Sequence, residues 1–439
     1  MIEKILVTPF QKFVKIESLS GILLFSATIL ALVWANSPFA HLYNSLWDYK
    51  LGIGTEDFAL NKPLILWVND GLMTIFFFLI GLEIKRELLI GELNSPRKAA
   101  FPFFAAIGGM VIPVGLFLLL NNNPETLDGW GIPMATDIAF SLAILNLLGK
   151  RVPISLKVFL TAFAIVDDLG AVLVIAIFYS SGIEWALLAY AAGLLAILFV
   201  LSYWRIYSKY LFALSGLIVW FLFLKAGIHP TIAGVLMALT IPIRQRIGVN
   251  VYTRKVSGIL EGIKFEEGRK GPVLSDNQIE QLDDLEDWTT LVQSPLQHLE
   301  HRLHNWVAYL VMPIFALANA GIAFSSDMHL ESALILNVIV GLFIGKGIGV
   351  SLFALGAVKL KLAVLPEGVN YKNIVGVALL AGVGFTMSIF ISNLAFGESD
   401  FTDSAKVGIL IGSLISGITG YLFLFFCSKK DDLVPDDNK

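Results

Sequence analysis

The stretch "TAFAIVDDLGAVLVIAIFY", Thr161 to Tyr179, decides how the rest of the chain is read. It reads as a buried apolar helix, except for the adjacent carboxylates Asp167 and Asp168 near its centre. The apolar run predicts a span over 153–180. At 1.5 Å per residue such a helix is about 40 Å long, enough for a hydrocarbon core of ~30 Å. Both aspartates then lie roughly 20 Å from either end, too deep for so short a side chain to reach an interface. An Asp at mid-helix costs about 2.5–3.5 kcal/mol on insertion scales. Two of them require a polar cavity or a partner. Neighbouring helical residues project about 100° apart, so one carboxylate can face an ion while the other meets a base. A capping role fits poorly, because no helix end is near.

Composition extends the same reading to the whole chain. Of its 439 residues 56% are hydrophobic and 15% charged, and the mean hydropathy is +0.76. A soluble domain is about 45–50% apolar and about 25% charged. The apolar excess falls in runs of about 20 residues, which predicts one all-α polytopic membrane domain over 1–439. Twelve candidate spans lie near 16–36, 63–84, 99–121, 130–148, 153–180, 184–202, 209–225, 229–243, 305–323, 333–358, 373–396 and 406–427. The single cysteine, Cys427, excludes a disulfide framework within the chain. The net charge of −4 and the lack of a basic run give no sign of a nucleic-acid partner. Met1 to Gln11 lacks a compact apolar region with a small-residue cleavage site, so no cleaved signal peptide is expected. There is no phosphate-cradling loop, no CxxC and no HExxH, so neither ATP drive nor a metal cofactor is read from the chain.

Lys and Arg set the orientation. With the N-terminus in the cytoplasm and loops alternating, the outer side receives Lys50, Lys62, Lys225 and Lys406. Lys346 falls inside a span, and every other basic residue goes to the cytoplasmic side, among them Arg86, Arg97, Arg151, Lys359, Lys429 and Lys430. The bias survives removal of the long polar loop 244–302, and a shift by one helix would scramble it. Both termini are therefore expected in the cytoplasm. The 244–302 loop, with the acidic "SDNQIEQLDDLEDW", is expected to be a solvated cytoplasmic segment with one short helix. "WDYKLGIGTEDFAL" (Trp47–Leu60) has a Gly-rich centre and predicts an external β-hairpin near 45–61.

Other residues repeat the logic of the aspartates. "GWGIPMATDIAF" and "LLAGVGFTMSIF" interrupt two hydrophobic segments, the first at Pro133 and Thr136, the second at Gly382 and Gly384. Interrupted segments in separate halves are the sequence pointer to a secondary transporter's binding site. Asp137 follows Thr136 at what reads as the start of a half-helix, where the dipole stabilises a carboxylate. Lys346 in "GLFIGKGIG" sits in mid-span among glycines that admit a close neighbour; Asp167 or Asp168 is its obvious partner. "GLEIKREL" (Glu83, Lys85, Arg86, Glu87) and "LEHRLHNWV" (Glu300, His301, His304) gather charges at the cytoplasmic edge. Such clusters are interface anchors or, since histidine titrates near neutrality, pH sensors. His229 in "AGIHPTIAG" is structural or pH-linked, and Asp70 in "WVNDGLMTIFFF" lines an exit path or marks the interface.

At this point the chain resembles a known family. "PMATDIAFSLAILNLLGKRVPISLKVFLTAFAIVDDLGAVLVIAIFY" is similar to the core of bacterial sodium/proton antiporters of the NhaA type. So are "ANSP", "FFLIGLEIKREL", "AAIGGM", "WVAYLVMPIFALANAG", "IGKGIGVSLF", "KLAVLPEGV", "GVGFTMSIF" and "LAFG", in one order across most of the chain. The resemblance implies a multi-pass transport protein of the bacterial inner membrane, embedded in lipid. It implies twelve helices in inverted-topology repeats, a property known for this family, with two interrupted helices crossing near the midplane. It implies electrogenic exchange of cytoplasmic Na⁺, and also Li⁺, for external H⁺. It further implies a homodimer joined through the hairpin, and no cofactor. Carried over by position, Asp168 is the direct ligand of the transported Na⁺, Asp167 the partner of Lys346 beside it, and Thr136, Asp137 and Gly384 mark the interrupted helices. Glu83, Glu87 and Glu300 match positions tied to pH response, and the reading of the residues themselves adds His301, His304 and His229 to that group. The usual "GKP" is replaced here by Gly345, Lys346 and Gly347, and the loop before Glu300 is longer than in compact members. Two other readings stay open. A sodium-coupled symporter needs an organic-solute pocket beyond the ion site, and an intramembrane aspartyl protease needs its two aspartates on facing helices.

Overall fold

A computed structural model describes residues 9–53, 60–180, 182–204, 206–265, 275–324 and 330–427. Among them six helices are long and apolar enough to cross a membrane: Leu64–Leu89, Pro96–Leu120, Ile154–Phe178, Trp185–Tyr203, Ser332–Lys359 and Asp400–Cys427. Three apolar pairs bend sharply at a short break: Leu19–Ala35 with Ala40–Trp47 at 114°, Pro124–Met134 with Ile138–Leu147 at 46°, and Tyr371–Ala381 with Phe385–Phe396 at 43°. Helices Lys209–Lys225 and Thr231–Thr240 are shorter. Pro295–Trp306 runs through a π-helical turn, Val307–Val311, into Met312–Asn319.

Local chemistry explains the breaks. Pro133 offers no backbone donor, so the segment before it tightens to a 3₁₀ helix, and Ala135 to Asp137 are extended. Gly382 and Gly384 flank the other break, where a Cβ on Gly382 would run into the Leu342 carbonyl. Ile154–Phe178 opens after Pro153 and is broken nowhere.

Small residues let the helices close on one another. Pro96–Leu120 and Lys346–Lys359 cross with backbones almost touching, since a Cβ on Gly108 or on Gly349 would overlap the other's carbonyl. Around this crossing lies one apolar core, with Phe101, Phe159, Phe163, Val350, Ile374 and Leu380. A second core joins Met73, Phe77, Leu82, Phe223, Phe315 and Phe390. The candidate site lies where the two meet.

Strands Lys50–Ile53 and Leu60–Pro63 pair antiparallel, Lys50 opposite Pro63. Residues 45–47 end the helix Ala40–Trp47 instead of entering the ribbon, and its turn, 54–59, lies outside the described residues. The 244–302 segment differs from a solvated loop with one short helix. Val249–Phe265 and Asp276–Val292 form a helical pair, tied by Tyr252 Oη to Thr289 Oγ1 at 3.0 Å and by Lys255 over the Trp288 ring. A reciprocal capping box between Ser275 and Gln278 starts the second helix. Residues 266–274 of this segment, Lys429, Lys430 and both extreme termini lie outside the described residues.

Candidate ion site

The two breaks face each other, and opposite helix ends receive opposite charges. Asp137 sits where two helix N-termini converge. Its Oδ1 accepts the Phe140 N–H at 3.1 Å, and its Oδ2 accepts the Thr386 N–H at 3.1 Å and the Thr386 hydroxyl. Its own N–H donates to the Val383 carbonyl at 2.7 Å. The C-terminal end of Tyr371–Ala381 is answered from the other side. Thr136 Oγ1 donates to Ala381 O at 2.9 Å and accepts from Lys346 Nζ at 2.8 Å, and Ser141 Oγ donates to Leu380 O. A carboxylate at the N-termini is the arrangement the peptide dipoles favour, and at the C-terminal end the Lys346 ammonium reaches the Ala381 carbonyl through the Thr136 hydroxyl. Gly384 is required at its break: a Cβ there would overlap Ser388 Oγ and press on the Ala135 carbonyl.

Lys346 is fully buried and donates to Asp167 Oδ2 at 2.7 Å. Its Nζ also lies 5.5 Å from the Phe163 ring centroid. Asp168, next along the helix and 2% exposed, has no such cation. Its Oδ2 is buried and has no hydrogen-bond partner among the described residues. It lines a cavity of about 60 Å³ with Thr136, Asp137, Thr161, Glu83 and His304, room for about two water-sized species. An unpaired carboxylate in such a place is costly unless a proton or a cation covers it.

Glu83 and His304 connect that cavity to a charged end of the fold. His304 Nδ1 lies 3.7 Å from Glu83 Oε1. Arg86 bridges Glu87 at 2.7 Å and Glu300 at 2.8 Å. Burial raises the Glu300 carboxyl from 4.5 to about 7, against the pull of Arg86. Lys85 turns away from these acids and caps the helix Thr231–Thr240, donating to Leu239 O and Ile241 O. His301 is exposed. His229 is elsewhere: it lies with Asp70 at the end that carries the strands, its Nε2 3.9 Å from Asp70 Oδ1.

That strand end holds contacts the sequence does not announce. Lys62 pairs with Asp70 at 2.7 Å. Asn319 donates to Asn69 Oδ1 at 2.8 Å and accepts from Asn393 Nδ2 at 2.7 Å, a chain of amides across three helices. Phe390 packs on Phe77, Phe315 and His229 between this chain and the break. The signal was present, since each Asn interrupts an apolar run, but a lone amide does not announce which other amide it meets.

The family model described as Na⁺/H⁺ antiporter 1 matches residues 11–424. The Na(+)/H(+) antiporter NhaA of Oleidesulfovibrio alaskensis is 49% identical over 95% of this chain and 94% of its own. That of Koribacter versatilis is 45% identical over 96% and 92%, and that of Helicobacter pylori strain 26695 is 45% identical over 98% and 98%. The paired aspartates, the buried lysine and both breaks fall inside the matched stretch. A match that runs over nearly the whole chain and contains the entire site leaves one assignment: this chain belongs to the Na⁺/H⁺ antiporter 1 family.

Proposed function

We propose that the protein exchanges cytoplasmic Na⁺ for external H⁺, acting as a secondary transporter and not as an enzyme. The observation that carries this reading is the buried, unpartnered oxygen of Asp168 facing a small polar cavity. A proton and Na⁺ compete for that carboxylate, because either relieves an otherwise bare buried charge. Asp137 and the Thr136 and Thr161 hydroxyls supply further oxygens around a bound cation, which suits a hard ion without any resident cofactor. Asp167 keeps its charge on Lys346 and holds that ammonium against Thr136. When the site opens to the other side, the exchange of one cargo for the other couples the two gradients.

The finer features belong to the same proposal. Six long helices, three bent pairs and the spans of Lys209–Lys225, Thr231–Thr240 and 307–319 support twelve crossings, with the two breaks forming a crossed pair at the midplane. The strand end is external, the Glu83–Glu300 end cytoplasmic, and both termini cytoplasmic in a bacterial inner membrane. Li⁺ is a second cargo, more than one proton moves per cation, and two copies join through the strand ribbon. Glu83, Glu87, Glu300 and His304 set the pH response; Asp70 and His229 flank the external path. The cavity beside Asp168, about 60 Å³, is far below the ~300 Å³ or more of organic-ligand sites, so the ion site itself has no room for an organic solute. Asp167 and Asp168 on one helix disfavour an aspartyl protease.

The test is sodium-driven proton movement in proteoliposomes of purified protein, across pH. Wild type is expected to release internal protons on a sodium pulse, and Asp168→Asn to release none while remaining folded. Near-normal exchange by well-folded Asp168→Asn vesicles would sink the reading.

A further inference from the structure

The helix Asp400–Cys427 contributes nothing to the site described above, yet one of its faces is packed on the break that precedes Phe385–Phe396. A Cβ on Gly417 would touch Val383, and one on Gly382 would strike Ser416 Oγ. Ser413 lies on the same face and is buried. Its hydroxyl oxygen accepts two consecutive backbone donors, Gly384 N–H and Phe385 N–H, at 3.2 Å each. The next donor, Thr386 N–H, goes to Asp137 Oδ2. The first amides of this half-helix, buried and without an intrahelical acceptor, are thus divided between a neutral hydroxyl and one carboxylate.

We propose that Ser413 is a positioning residue for cation exchange: it anchors the first turn of Phe385–Phe396, and so fixes the direction in which Thr386 holds the Asp137 carboxylate beside the cavity. The inference rests on the exchange reading above. Ser is a favoured helix cap because its oxygen answers donors that the helix leaves unpaired. Being neutral, it does so without competing with Asp137 for the positive end of the dipole. Without it, two buried N–H groups lose their acceptor, and the charged acceptor of this turn is Asp137, already bonded to the next N–H, that of Thr386. The turn then tightens on that carboxylate and draws it from the cavity. Ser416 gives an internal control. Its Oγ is buried against the same break with no hydrogen-bond partner among the described residues, so its removal costs no bond.

The test compares wild type, Ser413→Ala, Ser413→Cys, Ser413→Thr and Ser416→Ala as full-length purified protein in proteoliposomes. Initial proton movement is read against Na⁺ and Li⁺ concentration at several pH values, beside the melting temperature. Ser413→Ala is expected to raise the KM for Na⁺ about five-fold, the effect of one lost helix cap, to change the Na⁺-to-Li⁺ KM ratio, and to change kcat much less. Ser413→Thr keeps the hydroxyl and is expected to restore the KM; Ser416→Ala is expected to match wild type. If Ser413→Ala does not fold, Ser413→Cys keeps the volume, weakens the acceptor and carries the same expectation. Wild-type KM, ion ratio and pH profile in the folded Ser413 variant, or a loss confined to melting temperature, overturns the inference while exchange itself stands. A wild type that moves no protons on sodium addition overturns the exchange reading instead.

Discussion

Lys346 and Asp167 form a pair with no exposure to water, and such a pair is strong only as a pair. Losing one partner of a buried ion pair costs about 3–5 kcal/mol, because the other charge is stranded. Lys346→Ala is therefore expected to melt well below wild type in detergent at pH 8, and Lys346→Arg, which keeps the cation, to melt closer to it. The alanine deficit should shrink as pH falls, because a proton can take the ammonium's place on Asp167. Equal melting points and equal transport for the two variants would show the pairing to be idle. Glu300 presents the opposite case, a group whose proton is held by burial. Its carboxyl titrates at about 7 in the fold against 4.5 ordinarily. Between those values the folded state keeps a proton that the unfolded chain has lost, so this group's contribution to stability falls as pH rises from about 4.5 to 7 and is level above. Glu300→Gln has no such slope, and its melting-point advantage over wild type should grow from pH 5 to pH 7.5. Gln also imitates the acid form of the Arg86 cluster, so the rate profile of Glu300→Gln is expected to move to the alkaline side. In wild type, saturating Na⁺ should fail to restore full rate at pH 6; full restoration would mean that simple competition at Asp168 suffices and that the cluster is only an anchor.

At the scale of elements, what the sequence declares depends on whether the cause is local. A mid-span lysine must find a carboxylate, and "GLFIGKGIG" states that need openly; that Thr136 Oγ1 would be the second acceptor depends on two helix ends meeting and is not written in either. Pro133, Gly382 and Gly384 mark the places where two of the three bent pairs turn, because a missing donor and a missing Cβ act on their own backbone. The π-helical turns at Trp67–Leu72, Val307–Val311 and Gly341–Gly345 are less legible: Gly71 lies in the first, Pro313 follows the second and glycines bound the third, but none of these marks by itself announces a π turn. They accommodate packing between helices, and two of them aim a polar group: Asp70 lies within the first, and Lys346 directly follows the last. The helical pair in 244–302 was concealed for another reason. "SDNQ" is a legible capping box, and Ile279, Leu282, Leu285 and Trp288 keep helical spacing, but acidic residues crowd the remaining positions and mask the stripe. The Asn69–Asn319–Asn393 chain was beyond sequence reasoning altogether, since its three members are distant in sequence and join only through the fold.

The whole molecule separates its charges between two ends, and that separation makes orientation testable with a single atom. Arg86, Arg151 and Lys359 lie on the side assigned to the cytoplasm, while Lys50, Lys62, Lys225 and Lys406 belong to the strand side. Arg151 reaches the last helix directly: its Nη1 donates to Phe425 O at 3.3 Å and its guanidinium lies 3.9 Å from the Phe425 ring centroid. Two residues on stands Cys427, the only cysteine in the chain and partly exposed. Its thiol therefore shares a side with Arg151, the side where basic residues accumulate and which the proposed orientation puts in the cytoplasm. An even number of crossings returns the chain to that side; an odd number does not. A membrane-impermeant maleimide added to inverted vesicles is expected to label the wild-type protein at Cys427, and Cys427→Ser is expected to abolish the signal. The same reagent on intact spheroplasts should label nothing until the membrane is opened. Labelling from outside without permeabilisation would reverse the orientation of the entire fold, and would place the Arg86 cluster, with its near-neutral Glu300, on the external face.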